Sequence, residues 1–179
     1  MDVLLVVDMQ VGLLNNAPKH ELTGVVGRIN ALAAAIRSKA GKVIWIQHCG
    51  RPGEDFERDT PGFELLPDLQ RAPGDLTSHK TLNDPFAGTG LAETLRKLVP
   101  DKVLVTGWAT DFCVDATVRS AVSHDFDVVV VGDGHTVSDR EHLDAASVMR
   151  HHNWVWSNLI TNRSIRVASA AEVLADLAA

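Results

Sequence analysis

Three residues far apart in the chain, Asp8, Lys80 and Cys113, carry side chains that together could perform covalent chemistry. Asp8 follows the apolar run Val3 to Val7, and a residue just past a buried strand looks into the ligand crevice of an open α/β sheet. Cys113 comes after GWATDF, beyond the apolar run Lys102 to Thr106, and opens a stretch of helical spacing through Val114, Thr117, Val118 and Ala121. At a helix N-terminus, backbone N–H groups and the helix dipole favour the thiolate, so the expected thiol pKa is lowered. Lys80 closes the segment LTSHK, and a buried cation beside a carboxylate and a thiol would hold the charges in a fixed geometry. Taken singly, each also fits a plain role: Asp8 as a turn or capping residue, Cys113 as a small buried hydrophobe, Lys80 as a solvated surface charge.

The elements that must position these groups follow from apolar patterning. Val3 to Val7, Val43 to Gln47, Lys102 to Thr106 and Asp127 to Val131 are short runs rich in β-branched residues, the pattern of parallel strands covered on both faces. Leu22 to Ala40 places apolar residues at Leu22, Val25, Val26, Ile29, Leu32, Ala33 and Ile36, with Gly41 where a C-cap would stand, and the period is that of a helix. Leu91 to Leu98 and Phe112 to Val122 repeat the spacing. His142 to Trp156 does so too, although Trp154 and Trp156 also suit a strand. Ile165 to Ala168 and Ala171 to Leu177 add a last strand and a closing helix. The alternation predicts a doubly wound, Rossmann-like α/β fold, with a mostly parallel sheet, helices on both faces and ligands at the carboxyl ends of the strands. His48 to His79 contains four prolines and four glycines and reads as a long functional loop or lid.

The 179 residues fit a single domain, 1–179. A net charge of −6, with Lys and Arg scattered along the chain, gives no field for nucleic acid. The first apolar run is not preceded by a basic segment and is broken by Asp8, so neither a signal peptide nor a membrane span is expected and the chain reads as cytoplasmic. Two cysteines, Cys49 and Cys113, are too few for a disulfide framework and lack zinc-site spacing. The sequence DMQ lacks the second carboxylate of a D-x-D pair, which argues against metal-dependent phosphoryl transfer.

The segments LLVVDMQVGLL, HKTLNDPFAGTGL and TGWATDFCVDATVRSA, in that order, resemble the isochorismatase-like cysteine hydrolases, a family related to the nicotinamidases, over nearly the whole chain. The resemblance implies a triad of Asp8, Lys80 and Cys113. It also implies a cis peptide between Trp108 and Ala109 and an oxyanion hole formed by the N–H groups of Ala109 and Cys113. On this basis Asp8 is the general acid/base, Lys80 stabilises charge, and the Cys113 thiolate forms a thioester-like intermediate with a small amide, lactam or carbamoyl compound, its C–N bond being the one cleaved. Family members commonly assemble as dimers or larger rings, so a homo-oligomer is the expectation.

Nicotinamidases carry a metal-binding Asp-x-His pair after the second strand, whereas IQHCGRPG puts His48 and Gly50 at those places. The expectation is therefore no metal and no cofactor, with His48 lining the pocket. Gln10, Leu13, Phe86, Trp108 and Phe112 complete the expected pocket. His151 and His152 are adjacent on a helix and diverge by about 100°, and GDGHT lacks the third glycine of a dinucleotide fingerprint, so neither segment is assigned a ligand; Trp45, Trp108, Trp154 and Trp156 read mostly as core. Two other functions stay open: vinyl-ether hydrolysis of the isochorismatase type, which does not use the cysteine, and a catalytically silent binding module on the same fold.

Overall fold

In the computed structural model, which describes residues Met1–Ala179, one six-stranded sheet forms the centre of the chain. Its strands are β1 (Val3–Val7), β2 (Lys42–His48), β3 (Leu76–Lys80), β4 (Val103–Trp108), β5 (Val128–Thr136) and β6 (Ile165–Ala168). Their spatial order is β3-β2-β1-β4-β5-β6, and every neighbouring pair is parallel. The helices are α1 (Val11–Leu14), α2 (Leu22–Ser38), α3 (Leu91–Leu98), α4 (Asp115–Ser123), α5 (Ala145–Ser157) and α6 (Ala170–Ala178). A 3₁₀ turn spans Pro61–Phe63, and a π turn at Thr110–Val114 leads into α4. This is the expected doubly wound architecture, with the strand order reversing between β1 and β4, the crevice where such folds bind ligands.

All five residues of β1 are fully buried because the strand is covered on both faces. Leu4 and Val6 pack with Val25, Ile29, Leu32 and Ile36 of α2; Val3, Leu5 and Val7 pack in the opposite layer with Leu91 and Leu95 of α3 and with Val114 and Val118. Alternate side chains of a strand point to opposite faces, so one unbroken apolar run supplies both layers. Trp45 and Trp156 are buried, as expected, but Trp154 is 66% exposed on α5. No helix is long and apolar enough to cross a membrane.

Three details depart from the sequence reading. β3 lies inside the stretch expected to be irregular; its exposure alternates, ending on buried Lys80, as suits an edge strand with one covered face. β5 continues through Gly132-Asp133-Gly134-His135-Thr136 instead of stopping at Val131, rejoining β4 through the pairs Gly107 with His135 and Trp108 with Thr136 after a register shift. The helix expected from Phe112 divides into the π turn and α4. Of the two alternatives left open for Trp154 and Trp156, the helix is the one found, in α5.

The register shift requires glycine at one point. Gly107 has φ +121, and a Cβ there would lie 2.1 Å from the Val7 carbonyl oxygen, so both conformation and contact exclude a side chain. Gly107→Ala is expected to destabilise the fold by about 3 kcal/mol or more, read as a lower urea midpoint. An unchanged midpoint would contradict the packing at this junction.

Candidate active site

The carboxyl edge of the sheet gathers the three chemically capable side chains. Asp8 directly follows β1 with φ +51, a left-handed conformation that Asp tolerates better than most residues. Its N–H donates to the Ile46 carbonyl and its own carbonyl accepts from the Gln10 N–H, so the backbone turns sharply there. Lys80 ends the edge strand β3, two strands away from β1. Strands lie about 4.8 Å apart, so a side chain from β3 has to cross β2 to reach Asp8, and a long lysine spans that gap. It passes His48, the residue of β2 paired with Lys80 in the register.

The Lys80 ammonium is wholly buried and lies 2.6 Å from Asp8 Oδ2. It also donates toward His48 Nδ1 at 3.1 Å, the Leu82 carbonyl at 3.1 Å and Cys113 Sγ at 3.3 Å. Four acceptors thus face three N–H bonds. The second carboxylate oxygen, Asp8 Oδ1, is buried without an N–H donor. The Cys113 thiol donates toward Asn83 Oδ1 at 3.6 Å, and its sulfur and an Asp8 carboxylate oxygen lie within 4.8 Å of one another. Asn83 is an exposed turn residue in TLND with no signal in the sequence that would single it out; only the turn after β3 brings it to the sulfur.

Charge at this site departs from the helix-terminus argument. Burial, and then the adjacent Asp8 carboxylate, push the Cys113 thiol up to about 12, against the lowering effect of Lys80. The expected lowered thiol pKa is therefore corrected: the sulfur sits in a π turn ahead of α4, enclosed and beside an anion, and these outweigh the helix dipole. Burial also raises the Asp8 carboxyl, opposed by the Lys80 charge and hydrogen bond. His48 is held below its usual range by burial and by Lys80, so it is neutral. Because the ammonium can only donate, His48 Nδ1 is the acceptor and its proton resides on Nε2.

The π turn is braced from below. The Thr110 hydroxyl donates to His135 Nδ1 at 2.8 Å, His135 Nε2–H donates to Asn153 Oδ1 at 3.0 Å, and the Asn153 amide donates to the Gly132 carbonyl. Burial holds His135 down to about 4, so this chain of hydrogen bonds keeps one protonation pattern near neutrality. The Trp108–Ala109 peptide is cis. Ala109 is buried, its carbonyl accepts from the N–H groups of Phe112 and Val114, and its own N–H meets no acceptor of the chain.

The expected pocket residues divide. His48 is half-buried beside Lys80, Trp108 is half-buried at the end of β4, and Phe112 is 50% exposed immediately before Cys113. Leu13 packs, partly buried, against the α2 layer. Two are corrected. Gln10 is fully buried and spends its amide on the His48 backbone and the Phe63 carbonyl, fastening β1 to β2. Phe86 is buried in the core layer below Cys113, stacked on His124 at 4.9 Å between ring centroids. Cys49 takes a 3.4 Å contact from Arg58 beside a cavity of about 150 Å³.

Asp8, His48 and Cys113 offer ligand atoms within 4.8 Å of one another, a spacing that could hold a metal ion. Lys80 Nζ, however, lies within 3.3 Å of an atom of each. A divalent cation would have to share that space with a buried ammonium, so these residues do not fit a metal; the positive charge of the cluster is the lysine's own.

Residues 2–158 match the family model described as the isochorismatase domain. The chain belongs to the isochorismatase family. It is 33% identical to streptothricin hydrolase of Streptomyces noursei over 140 residues, 78% of this chain but 51% of that protein, so it spans about half the length of that relative. It is 26% identical to ureidoacrylate amidohydrolase of Methylorubrum extorquens, covering 73% of this chain and 68% of the relative. Among solved structures, an isochorismatase-family protein of Chromobacterium violaceum superposes with TM-score 0.86 at 27% identity, covering 99% of this chain and 93% of the other. A cysteine hydrolase of Pseudomonas syringae superposes with TM-score 0.88 at 22% identity, covering 99% and 92%, and shares the fold.

One consequence of the charge pattern can be measured directly. Replacing Asp8 by Asn removes the anion that raises the thiol and leaves Lys80 facing a single anionic partner, so the Cys113 pKa falls. Asp8→Asn is therefore expected to speed iodoacetamide alkylation of Cys113 at ~pH 8 by at least about tenfold, because a fall of one pKa unit multiplies a small thiolate fraction tenfold. A slower rate than wild type would show that Asp8 does not oppose the thiolate.

Proposed function

We propose that the chain is a cysteine hydrolase that cleaves a C–N bond of a small amide, lactam or carbamoyl compound through a covalent thioester-like intermediate on Cys113. The observation that carries this reading is the buried Lys80 ammonium in contact with both the Asp8 carboxylate, at 2.6 Å, and the Cys113 sulfur, at 3.3 Å. An acid, a cation and a thiol at the switch point of a parallel sheet supply a proton acceptor, a charge stabiliser and a nucleophile. Membership of the isochorismatase family and the amidohydrolase named among the relatives support the same class.

In the proposed reaction the resting site holds ionised Asp8, protonated Lys80 and a neutral thiol. Substrate arrival displaces solvent; the thiol proton passes to Asp8 Oδ1 as sulfur bonds to the carbonyl carbon, and the carbonyl π electrons move to oxygen. The free N–H of Ala109, with that of Cys113, takes the developing oxyanion. Where measured in other hydrolases, one such donor contributes about 3 kcal/mol. As the carbonyl re-forms, the C–N bond breaks and neutral Asp8 protonates the departing nitrogen. Asp8 then accepts a proton from water, whose oxygen attacks the acyl carbon. The C–S bond breaks, the thiolate recovers its proton from Asp8, and the acid is released.

An ammonia-release screen over small primary amides and carbamoyl compounds tests this. Cys113→Ala is expected to lower kcat by about a thousandfold or more on any substrate found, since a nucleophile acting with its base is lost as a unit. Turnover that survives Cys113→Ala would instead favour vinyl-ether chemistry, and failure of every compound would favour a binding module.

A further inference from the structure

His48 carries one hydrogen-bonding group that nothing else in the chain uses. Its Nδ1 accepts from Lys80 Nζ at 3.1 Å, which leaves the ring proton on Nε2. That N–H meets no acceptor of the chain, and no His48 atom is among the enclosed polar atoms left without a hydrogen bond, so it opens to solvent. A ring nitrogen of His48 lies within 4.8 Å of both the Cys113 sulfur and an Asp8 carboxylate oxygen. A donor without a partner therefore stands beside the nucleophile, and neither the triad nor the two N–H groups proposed for the oxyanion account for it.

The ring is held in place from several sides. The His48 backbone N–H donates to Gln10 Oε1 at 2.7 Å and its carbonyl accepts from Gln10 Nε2 at 3.1 Å, which fixes the end of β2 against β1. Lys80 holds the Nδ1 edge, and Phe56 packs edge-on against the imidazole, with ring centroids 5.5 Å apart. Phe56 is itself tied to the end of β2: its carbonyl accepts from the Gly50 N–H, and a Cβ at Gly50 would lie 2.9 Å from its ring. A donor fixed in advance loses little freedom on binding, so more of its hydrogen bond appears as affinity. Burial and then the charge of Lys80 hold the imidazole below its ordinary range, with Asp8 and Glu54 opposing, and the ring is neutral. A neutral donor next to the Asp8 carboxylate gives no advantage to an anion; what it selects is an uncharged oxygen or nitrogen acceptor.

We propose that the Nε2–H of His48 is a specificity-determining contact of this site, donating to an uncharged acceptor two bonds from the carbonyl carbon that Cys113 attacks, so that the preferred substrates are neutral amides or lactams with an ether, hydroxyl or carbonyl oxygen at the α position. In the proposed reaction the carbonyl carbon bonds to sulfur, its oxygen turns to the N–H groups of Ala109 and Cys113, and its nitrogen turns to Asp8. The α-side substituent is the part of the substrate left for His48. This rests on the proposed hydrolase reading for the reaction, while recognition of the acceptor does not require turnover. His48 thus makes two hydrogen bonds of different kinds, one that holds Lys80 and one that reads the substrate.

Two substitutions separate those bonds. In His48→Asn the carbonyl Oδ1 stands one bond from Cγ, as Nδ1 does, and accepts from Lys80, while nothing reaches the place of Nε2; in His48→Gln the amide nitrogen reaches that far position as a donor and the near acceptor is lost. The full-length chain and both variants are compared on two uncharged pairs, 2-methoxyacetamide against butyramide and tetrahydrofuran-2-carboxamide against cyclopentanecarboxamide, in which an ether oxygen replaces a methylene. In the wild type kcat/KM is expected to favour the ether member by at least about fivefold, the size of one net hydrogen bond, chiefly through KM. His48→Asn is expected to abolish that preference while iodoacetamide alkylates Cys113 within about twofold of the wild-type rate, because Lys80 keeps its acceptor. His48→Gln is expected to keep most of the preference and to speed alkylation severalfold, because a Lys80 hydrogen is freed for the sulfur. Where no compound turns over, the same ratio is read as Kd from protection of Cys113 against iodoacetamide, in which case only the hydrolase reading fails. A preference that is absent from the wild type, that survives His48→Asn, or that is lost equally in His48→Gln overturns the assignment.

Discussion

A single buried ammonium sets the electrostatics of this site. Lys80 is enclosed at the sheet's edge against two groups that can be anionic, Asp8 and Cys113, yet it carries one charge. A second buried negative charge would have no counterpart, and the cost of an unpaired buried charge is several kcal/mol. The pair therefore shares one proton: ionised Asp8 requires a neutral thiol, and a thiolate requires neutral Asp8. The two protonation states have the same net charge, so moving the proton between them needs no exchange with solvent. Apparent titration here belongs to the pair more than to either residue.

The fold exists to hold that arrangement against its own cost. Asp8 sits at the turn leaving the central strand, its backbone fixed by β2 and by Gln10; Lys80 reaches across β2 from the sheet's edge; Cys113 stands in a π turn pinned by Thr110, His135 and Asn153. Each is anchored by a different strand, and the strands are locked in register by two apolar layers. Loss of Lys80 would leave Asp8 buried without its partner, a change that commonly costs about 3–5 kcal/mol. Stability and chemistry thus meet in the same ion pair.

Much of this was legible before any coordinates. The buried strands announce themselves because parallel strands covered on both faces need unbroken apolar runs, and α2 because its stripe keeps the 3.6 period over 17 residues. The strand β3 escaped because an edge strand with one polar face, LTSHK, looks like the end of the loop before it. The extension of β5 escaped because GDGHT reads as a turn; in the fold a Cβ at Gly134 would lie 2.7 Å from a Val131 methyl, so the glycine there serves close packing. Asn83 carries no local signal, since its neighbours are assembled only when separate loops converge. The raised thiol was misjudged for a related reason: position at a helix start can be read from spacing, but enclosure and the proximity of Asp8 cannot.

That raised thiol bears on how the proposed nucleophile would work. A site that stored a free thiolate would expose a reactive sulfur to every electrophile and oxidant that reached it. In the proposed reaction sulfur stays protonated until a group arrives whose developing negative charge would be held elsewhere, by N–H donors at the head of the π turn. Proton transfer to Asp8 and bond formation at sulfur would then be one event, because the negative charge would leave sulfur as fast as it is created there. The ammonium with four acceptors and three hydrogens suits that proposed sequence: the hydrogen bond that Asp8 would need less once protonated is the one that sulfur would need in an attack.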